Sequence, residues 1–383
     1  MASTLTDTSL RAWLGLARVE GLGVRSAQKL VDHFGSPEAV YSASLAALES
    51  CGATRRVAEH LRAGAGSSEA ERDLAAAEKL GCHLVAFGSP GYPPLLKQIA
   101  DPPLVLYVRG DVTLLGRHTV AVVGTRRPTA YGSSVAHRLA SDLTERRLVI
   151  ASGLARGVDS AAHRGALEAK GKTVAVLGCG VDVVYPRENK RLAEQIAEKG
   201  ALVSEFPLGT SPQPENFPIR NRVISGLSLG VLIVEAAEYS GSLITARLAS
   251  EQDREVYAVP GNITSAQSFG PNLLIKQGAK LVDNWMDVME EFPPGVRAEL
   301  LPASEPSREG AESLPLFEPL RTSGLTPDQK AVYDQLRADQ PLFIDSILEC
   351  AGLPHPRVLS ALLELEMNGL VRQLPGKNFI RKL

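Results

Sequence analysis

The chain has 383 residues, of which 44% are hydrophobic and 22% are charged. This composition predicts a folded protein of two to three domains and excludes a wholly disordered chain. Lys and Arg number 41 against 43 Asp and Glu, a formal net charge of −2, which excludes a protein that binds nucleic acid through a generally basic surface.

Residues 1–80 predict an N-terminal helical domain of the helix-hairpin-helix or SAM-like kind. The segment GLGVRSAQKLVDHFG, residues 21–35, places glycines at a turn and then a helix with an apolar face. Exposed amides at such a hairpin can hold a phosphate. The alternative is a small helical domain that only packs against the rest of the chain.

Residues 81–291 predict a Rossmann-like α/β core. Prolines at 90, 93, 94, 102 and 103 indicate an extended, turn-rich connector over residues 83–110. Seven apolar segments then alternate with helical ones and are predicted to be strands: TVAVVG (119–124), LVIAS (148–152), TVAVLG (173–178), LVSE (202–205), VLIVE (231–235), EVYAVP (255–260) and AKLVD (279–283). Nearly continuous apolar runs indicate a doubly wound parallel sheet, whose ligands bind beyond the carboxyl ends of the strands.

Residues 292–324 contain six prolines and predict a flexible linker. Residues 325–383 predict a winged helix, with three helices followed by a hairpin around Pro375-Gly376. This domain has seven basic and seven acidic residues, and its third helix carries Glu364 and Glu366 against Arg357. These charges favour an interaction with protein, or a tethering role, over reading of duplex DNA.

Two loops that follow predicted strands carry groups suited to phosphate. In VVGTRRPTAYG, Gly124 permits a tight turn, the amides of Thr125 and Arg126 are expected to face a ligand, and the Arg126 and Arg127 side chains supply charge. In EAAEYSGSLITARLASEQ, the start of a helix forms a second anion cradle at Ser240, Gly241 and Ser242. The first loop is not GxGxxG and no acidic residue ends the second strand, so NAD binding is not expected.

The loop ASGLARGVDSAAHRGAL, residues 151–167, allows two interpretations. Gly153 keeps the backbone open at the carboxyl edge of the sheet, and Arg156 adds a charge. Asp159 and His163 lie one helical turn apart, as an acid–base pair could. The alternative is a helix cap beside a structural histidine.

The segment NFPIRNR, residues 216–222, brings an aromatic ring, amides and arginines to one junction between a loop and a helix. These types suit a nucleic-acid strand, with arginine for phosphate, Phe217 for base stacking and asparagine for a base edge or the backbone. The residues so implicated are Asn216, Phe217, Arg220, Asn221 and Arg222. The alternative is that Phe217 belongs to the core and the arginines pair with Glu205 or Glu215.

The loops thus offer glycine, hydroxyl and arginine but no convincing nucleophile, metal cluster or carboxylate pair. We therefore expect a phosphate-binding surface with no catalytic residue, no metal and no cofactor. No apolar run is long enough to cross a membrane, the N-terminus lacks the pattern of a secretory signal, and the four cysteines form no CxxC pair. These features predict a cytoplasmic protein with no membrane segment.

In this order, the motifs VVGTRRPTAYG, SGLARGVDSAAHRGAL, LGCGVDVVYPREN, LVSEFP…NFPIRNRVISGLS and VEAAEYSGSLITARLASEQDREVYAVPGN resemble the DNA-processing protein A family (DprA, also called Smf). The resemblance is strong over residues 80–290, and the terminal domains fit the three-part layout of the family. It implies a non-catalytic protein that protects incoming single-stranded DNA, promotes loading of the RecA recombinase in natural transformation, and forms a homodimer through its core.

Carried over by motif, Gly124, Thr125 and Arg126 are expected in the single-strand pocket, together with Phe217, Arg220, Asn221 and Arg222. Two other classes of function stay open. One is an enzyme resembling the nucleoside-monophosphate phosphoribohydrolases, although SGSLITARLASE lacks the paired glycines and the glutamate of their PGGxGTxxE motif. The other is a regulator that binds duplex DNA through the winged helix.

Overall fold

The computed structural model describes residues 7–301, 325–338, 340–374 and 376–381. The chain begins with six helices: α1 (Asp7–Arg18), α2 (Val24–Phe34), α3 (Pro37–Ser42), α4 (Leu45–Ser50), α5 (Arg55–Arg62) and α6 (Ser67–Leu80). The predicted hairpin is present, because α2 begins after Gly23 and ends at Gly35, whose φ of 84° is a left-handed conformation that favours glycine. Trp13 and Leu16 share one buried cluster with Val105 and Ala175, so these helices pack against the central sheet.

The central sheet has nine strands within the described residues. Their bounds are β1 (His83–Ala86), β2 (Val105–Gly110), β3 (Thr119–Val123), β4 (Val149–Ser152), β5 (Thr173–Val176), β6 (Ala201–Ser204), β7 (Gly230–Ile233), β8 (Glu255–Ala258) and β9 (Lys280–Leu281). The spatial order is β1-β2-β6-β5-β4-β3-β7-β8-β9. Strands β3 to β9 pair in parallel, which confirms the predicted doubly wound α/β core.

Helices cover both faces of the sheet. Between the strands lie α7 (Pro94–Lys97), α8 (Ala130–Glu145), α9 (Val158–Glu168), α10 (Lys190–Lys199), α11 (Asn216–Gly226), α12 (Gly241–Glu251) and α13 (Phe269–Lys276), and α14 (Trp285–Glu290) and α15 (Pro294–Leu300) follow β9. Along β3, Val120 and Val122 pack on one face, and Ala121 and Val123 on the other. A strand buried on both faces must be apolar at every position, which is why its sequence does not alternate.

Two segments differ from the sequence-based predictions. Residues 83–110 are not only a connector, because β1 and β2 extend the sheet in antiparallel pairing, β2 against β6. Residues 292–324 are not a linker throughout, because α15 lies at their start and Leu300 is buried against the core. The rest of the predicted linker, 302–324, lies outside the described residues.

The C-terminal segment has the three predicted helices and the two hairpin strands, together with a short strand between the first two helices that the sequence analysis did not predict. These are α16 (Pro327–Gln335), β10 (Leu342–Phe343), α17 (Ile344–Ala351), α18 (His355–Met367), β11 (Val371–Leu374) and β12 (Asn378–Arg381). Thr326 caps α16 and Pro327 occupies its first turn. Strands β10, β12 and β11 form a small antiparallel sheet, the wing of a winged helix. Pro375 of the predicted hairpin turn lies outside the described residues.

Candidate nucleic-acid interface

A cavity of about 960 Å³ opens at the carboxyl edge of the parallel strands. Its walls come from the loops after β3, β4, β5, β7 and β8 and from the start of α11. Ten of the fourteen residues expected at the site line it: Gly124, Thr125, Arg126, Arg127, Phe217, Arg220, Asn221, Ser240, Gly241 and Ser242. The fold therefore brings most of the candidate groups to one place, as a doubly wound sheet requires.

Two more candidates line a small adjoining depression. Gly153 and Arg156 lie there together with Arg126, Phe217 and Arg220, which border both spaces. The structure does not bring Asn216 or Arg222 to either space.

Arg222 is instead part of a buried ion-pair cluster. Its guanidinium contacts the carboxylate of Glu205 through Nη2, and Nε lies 3.3 Å from Asp101 Oδ2. The side chain is 10% exposed. This is the alternative in which an arginine pairs with Glu205, so Arg222 holds α11 against the end of β6 and is not available to a ligand.

The loop after β3 is held by Glu235, a buried residue that follows β7. The Glu235 carboxylate accepts hydrogen bonds from Thr129 N at 2.8 Å and from Thr129 Oγ1 at 2.6 Å. The Glu235 carbonyl accepts from the amide of Thr125 at 2.6 Å. The expectation that the Thr125 amide faces a ligand is therefore wrong, because that N–H is already bonded within the protein.

The glycine of this loop is required by close packing. A Cβ at Gly124 would lie 2.7 Å from Val158 Cγ2 and 2.8 Å from the Glu235 carbonyl oxygen, where no side chain fits. The loop thus passes tightly between the start of α9 and the segment that follows β7. Its two arginines then project from the turn, and both are exposed.

Arg126 and Arg127 are the accessible cations of the cavity. Within the described part of the chain neither forms an ion pair, in contrast to Arg222 and to Arg156, which pairs with Glu188. The guanidinium of Arg126 lies 5.6 Å from the centroid of the Phe217 ring. An unpaired guanidinium beside a half-buried aromatic ring provides both charge for a phosphate and a surface for a base.

Arg220 forms the floor of the cavity. It is 5% exposed, and its Nη1 donates to the carbonyls of Gly153, at 2.8 Å, and of Val176. Burial lowers the pKa of Arg220 to about 10, which leaves it protonated at neutral pH. Its Nη2 makes no hydrogen bond to any described residue, so the floor retains a donor for an anion.

The start of α12 forms the opposite wall. Ser240 caps the helix, and its hydroxyl lies 2.8 Å from that of Ser242. A Cβ at Gly241 would meet no atom within 4 Å, so the glycine leaves the space above the first turn empty. The first amides of a helix lack intrahelical partners and favour an anion, and no acidic residue occupies this first turn.

The cavity carries a small positive excess. Three arginines line it (Arg126, Arg127 and Arg220) against two carboxylates, Asp159 and Glu238. Asp159 is buried and accepts from the amides of Gly153 and Ala155, so its charge is used to hold the loop after β4.

Asp159 and His163 do not form an acid–base pair. His163 is fully buried, and its Nδ1 lies 2.6 Å from Thr173 Oγ1. Burial lowers the pKa of His163 to about 3, so the ring is neutral at physiological pH. The geometry supports the structural interpretation of both residues.

Two tyrosines of the cavity wall were not among the predicted site residues. Tyr185, in the loop after β5, is 42% exposed, and Tyr239, before α12, is 92% exposed. The sequence feature that could have identified them is their position in loops that follow parallel strands. An aromatic residue in such a loop lies at the same edge as the glycines and arginines.

The chain is similar to proteins of the DprA and Smf group. A family model described as DNA recombination-mediator protein A matches residues 83–293, and one described as the DprA winged helix domain matches residues 318–377. The chain is 42% identical to Protein Smf of Escherichia coli over 80% of this chain and 79% of that protein. It is 47% identical to the DNA processing protein DprA of Bacillus subtilis over 58% of this chain and 75% of that protein.

Solved structures give the same result. The X-ray structure of DNA processing protein A from Streptococcus pneumoniae superposes with a TM-score of 0.67 at 34% identity, covering 74% of this chain and 98% of that one. A structure of DNA processing protein A from Helicobacter pylori, described for its single-stranded DNA binding mode, has a TM-score of 0.50 at 33% identity and covers 54% of this chain and 93% of that one.

Proposed function

The chain belongs to the DNA recombination-mediator protein A family, and on that basis we propose that its cavity binds single-stranded DNA. The proposal is carried by two exposed arginines, Arg126 and Arg127, which form no ion pair with any described residue. They line the same cavity as the accessible ring of Phe217. Arginine neutralises the phosphates of the strand, and the ring stacks on a base, whichever base it is.

The strand is held mainly through its backbone. Arg126, Arg127, the free donor of Arg220 and the first turn of α12 all suit phosphate, and contacts with the phosphates position a strand without reading its sequence. Phe217 supplies stacking, which every base can accept. We therefore expect binding that depends weakly on sequence and strongly on salt.

We further propose that the protein protects incoming single strands in the cytoplasm and promotes their loading with RecA recombinase during natural transformation. It acts as a binding protein and not as an enzyme. In support, Asp159 and His163, the one acid–base pair that the sequence offers near the cavity, are both buried and bonded to other groups. Release of a free base from a nucleoside monophosphate by the purified protein would contradict this proposal.

We propose that a homodimer forms through the core. Leu273 on α13 and Leu281 on the edge strand β9 are exposed apolar side chains beside one end of the sheet, and neither lines the cavity. Burial of such residues favours association. Sedimentation velocity is expected to give a dimer for the wild type and a monomer for Leu273→Arg.

The direct test is fluorescence anisotropy with a labelled poly-dT strand and the matching duplex at several salt concentrations. If three to five phosphates are engaged, log K falls with log salt with a slope of roughly −2 to −3.5. Arg126→Ala is expected to weaken single-strand binding and to reduce the slope by about 0.7. Arg164→Ala, which removes an exposed arginine on α9 that lines neither space, is the matched control.

Equal or stronger binding to the duplex that survives Arg126→Ala would move the function to a terminal domain. A flat salt dependence would contradict phosphate recognition altogether.

A further inference from the structure

Tyr185 and Phe217 form a ridge between the cavity and the small depression beside it. Their ring centroids are 5.5 Å apart with an interplanar angle of 38°, and both residues line both spaces. Tyr185 has 42% of its surface exposed, and its hydroxyl makes no hydrogen bond to any described residue. An aromatic ring presented to solvent next to a stacking residue is suited to receive a second base.

The depression beyond the ridge has its own cation. Arg156 lines it and forms a bidentate ion pair with Glu188, from Nε to Oε1 and from Nη2 to Oε2. The depression has a volume of about 30 Å³, room for about one or two water molecules, so it cannot enclose a base. A carboxylate and a phosphate present the same pair of oxygens to a guanidinium.

The Arg156–Glu188 pair is easily exchanged. The two side chains are 60% and 53% exposed, and ion pairs with such exposure contribute little to stability. A phosphate can therefore replace the Glu188 carboxylate at Arg156 at little cost.

We propose that the exposed ring of Tyr185 and the guanidinium of Arg156 form a second nucleotide subsite, in which a base stacks on Tyr185 at the ridge and the adjoining phosphate takes the place of Glu188 at Arg156. The inference rests on the proposed single-strand binding of the main cavity and deepens it. It predicts the path of the bound DNA over the surface, from the cavity across the Phe217–Tyr185 ridge toward Arg156. Glu188 acts as an internal competitor that holds Arg156 in place until the strand arrives.

The first experiment separates stacking from charge. Anisotropy is measured with a dT strand and with an abasic strand of the same length, on wild type, Tyr185→Ala and Tyr185→Phe. Tyr185→Ala is expected to lower affinity for dT about tenfold and to leave affinity for the abasic strand unchanged. Tyr185→Phe keeps the ring and is expected to bind like the wild type.

The second experiment is a double-mutant cycle on the ion pair. Glu188→Gln is expected to raise affinity about two- to fivefold, because Arg156 no longer has a competing carboxylate. Arg156→Ala is expected to lower affinity and to abolish the gain from Glu188→Gln. Glu198→Gln, which removes an exposed carboxylate from α10, measures the general effect of one negative charge.

The outcomes distinguish this inference from the proposed function. Suppose that wild type binds dT and that Arg126→Ala binds it more weakly. If Tyr185→Ala then binds like wild type, or Glu188→Gln gains no more than Glu198→Gln, the second subsite is wrong and the main cavity stands. If wild type shows no salt-dependent single-strand binding, both proposals fail. Thermal unfolding of each variant verifies that it is folded.

Discussion

Gly178 lies at the end of the segment that contains β5. We expect it to set the position of the Phe217 ring without itself touching the bound DNA. A Cβ built at Gly178 would lie 2.9 Å from Phe217 Cδ1 and 3.2 Å from Cε1. Carbon atoms in contact are normally about 3.5–4.0 Å apart, so Gly178→Ala forces the ring to move by roughly 0.5–1 Å. The ring is already bordered by Tyr185, Arg126 and Arg220, which restrict where it can go.

The loss of affinity in Gly178→Ala cannot exceed the free energy that the Phe217 ring contributes to DNA binding. A stacked base is worth about 1–3 kcal/mol, and each 1.4 kcal/mol corresponds to a tenfold change in affinity. A displaced ring keeps part of its stacking, so we expect Gly178→Ala to weaken binding about three- to tenfold, less than Phe217→Ala. Because the ring is half-buried and can shift toward solvent, the free energy of unfolding is expected to change by less than about 1.5 kcal/mol.

The assay is anisotropy with labelled poly-dT on wild type, Gly178→Ala and Phe217→Ala, with thermal unfolding of each protein. Gly116→Ala is the matched control, because a Cβ there meets no atom within 4 Å and Gly116 lines neither space. The double variant Gly178→Ala/Phe217→Ala should bind like Phe217→Ala alone, since the glycine acts only through the ring. Full affinity of Gly178→Ala would refute the placement of Phe217 in the binding surface.

Three further predictions concern stability and domain roles. Arg222→Ala leaves the buried Glu205 carboxylate unpaired and is expected to cost about 3–5 kcal/mol in unfolding free energy; an unchanged melting temperature with loss of single-strand binding would return Arg222 to the interface. The pKa of His163 is about 3 in the folded state and 6.5 in the unfolded state, so only the unfolded state takes up a proton between these values. The free energy of unfolding is therefore expected to be unaffected by this group above about pH 6.5 and to fall by about 1.4 kcal/mol per pH unit as the pH drops toward 3. His163→Gln should flatten that part of the stability profile, and parallel profiles would contradict it. Removal of residues 325–383 is expected to leave single-strand binding intact, whereas loss of binding would indicate a regulator that uses its winged helix.

Most of the α/β core could be predicted from local patterns in the sequence. Strands β3 to β8 were predictable because each is a short apolar segment between helical ones. Their parallel direction follows from the helices that connect them. The carboxyl-edge loops were predictable for the same reason. The glycines are informative where packing demands them: a Cβ at Gly153 would lie 2.6 Å from Arg220 Nη1.

The rest depends on contacts between distant parts of the chain. Strand β2 pairs with β6 across about ninety residues, and nothing in the proline-rich sequence around it shows that pairing. Arg126 and Arg222 look alike in sequence, but only Arg222 meets Asp101 and Glu205 in the folded chain. Whether an arginine is free for phosphate is set by such partners and not by its own motif.

The central claim, that the core cavity holds the strand, is tested most directly by photo-crosslinking of a single strand that contains halogenated uracil, followed by mapping of the modified peptides. Crosslinks are expected at Phe217 and Tyr185, reduced in Arg126→Ala and unchanged in Arg164→Ala. Crosslinks confined to residues 1–80 or 325–383 would contradict it.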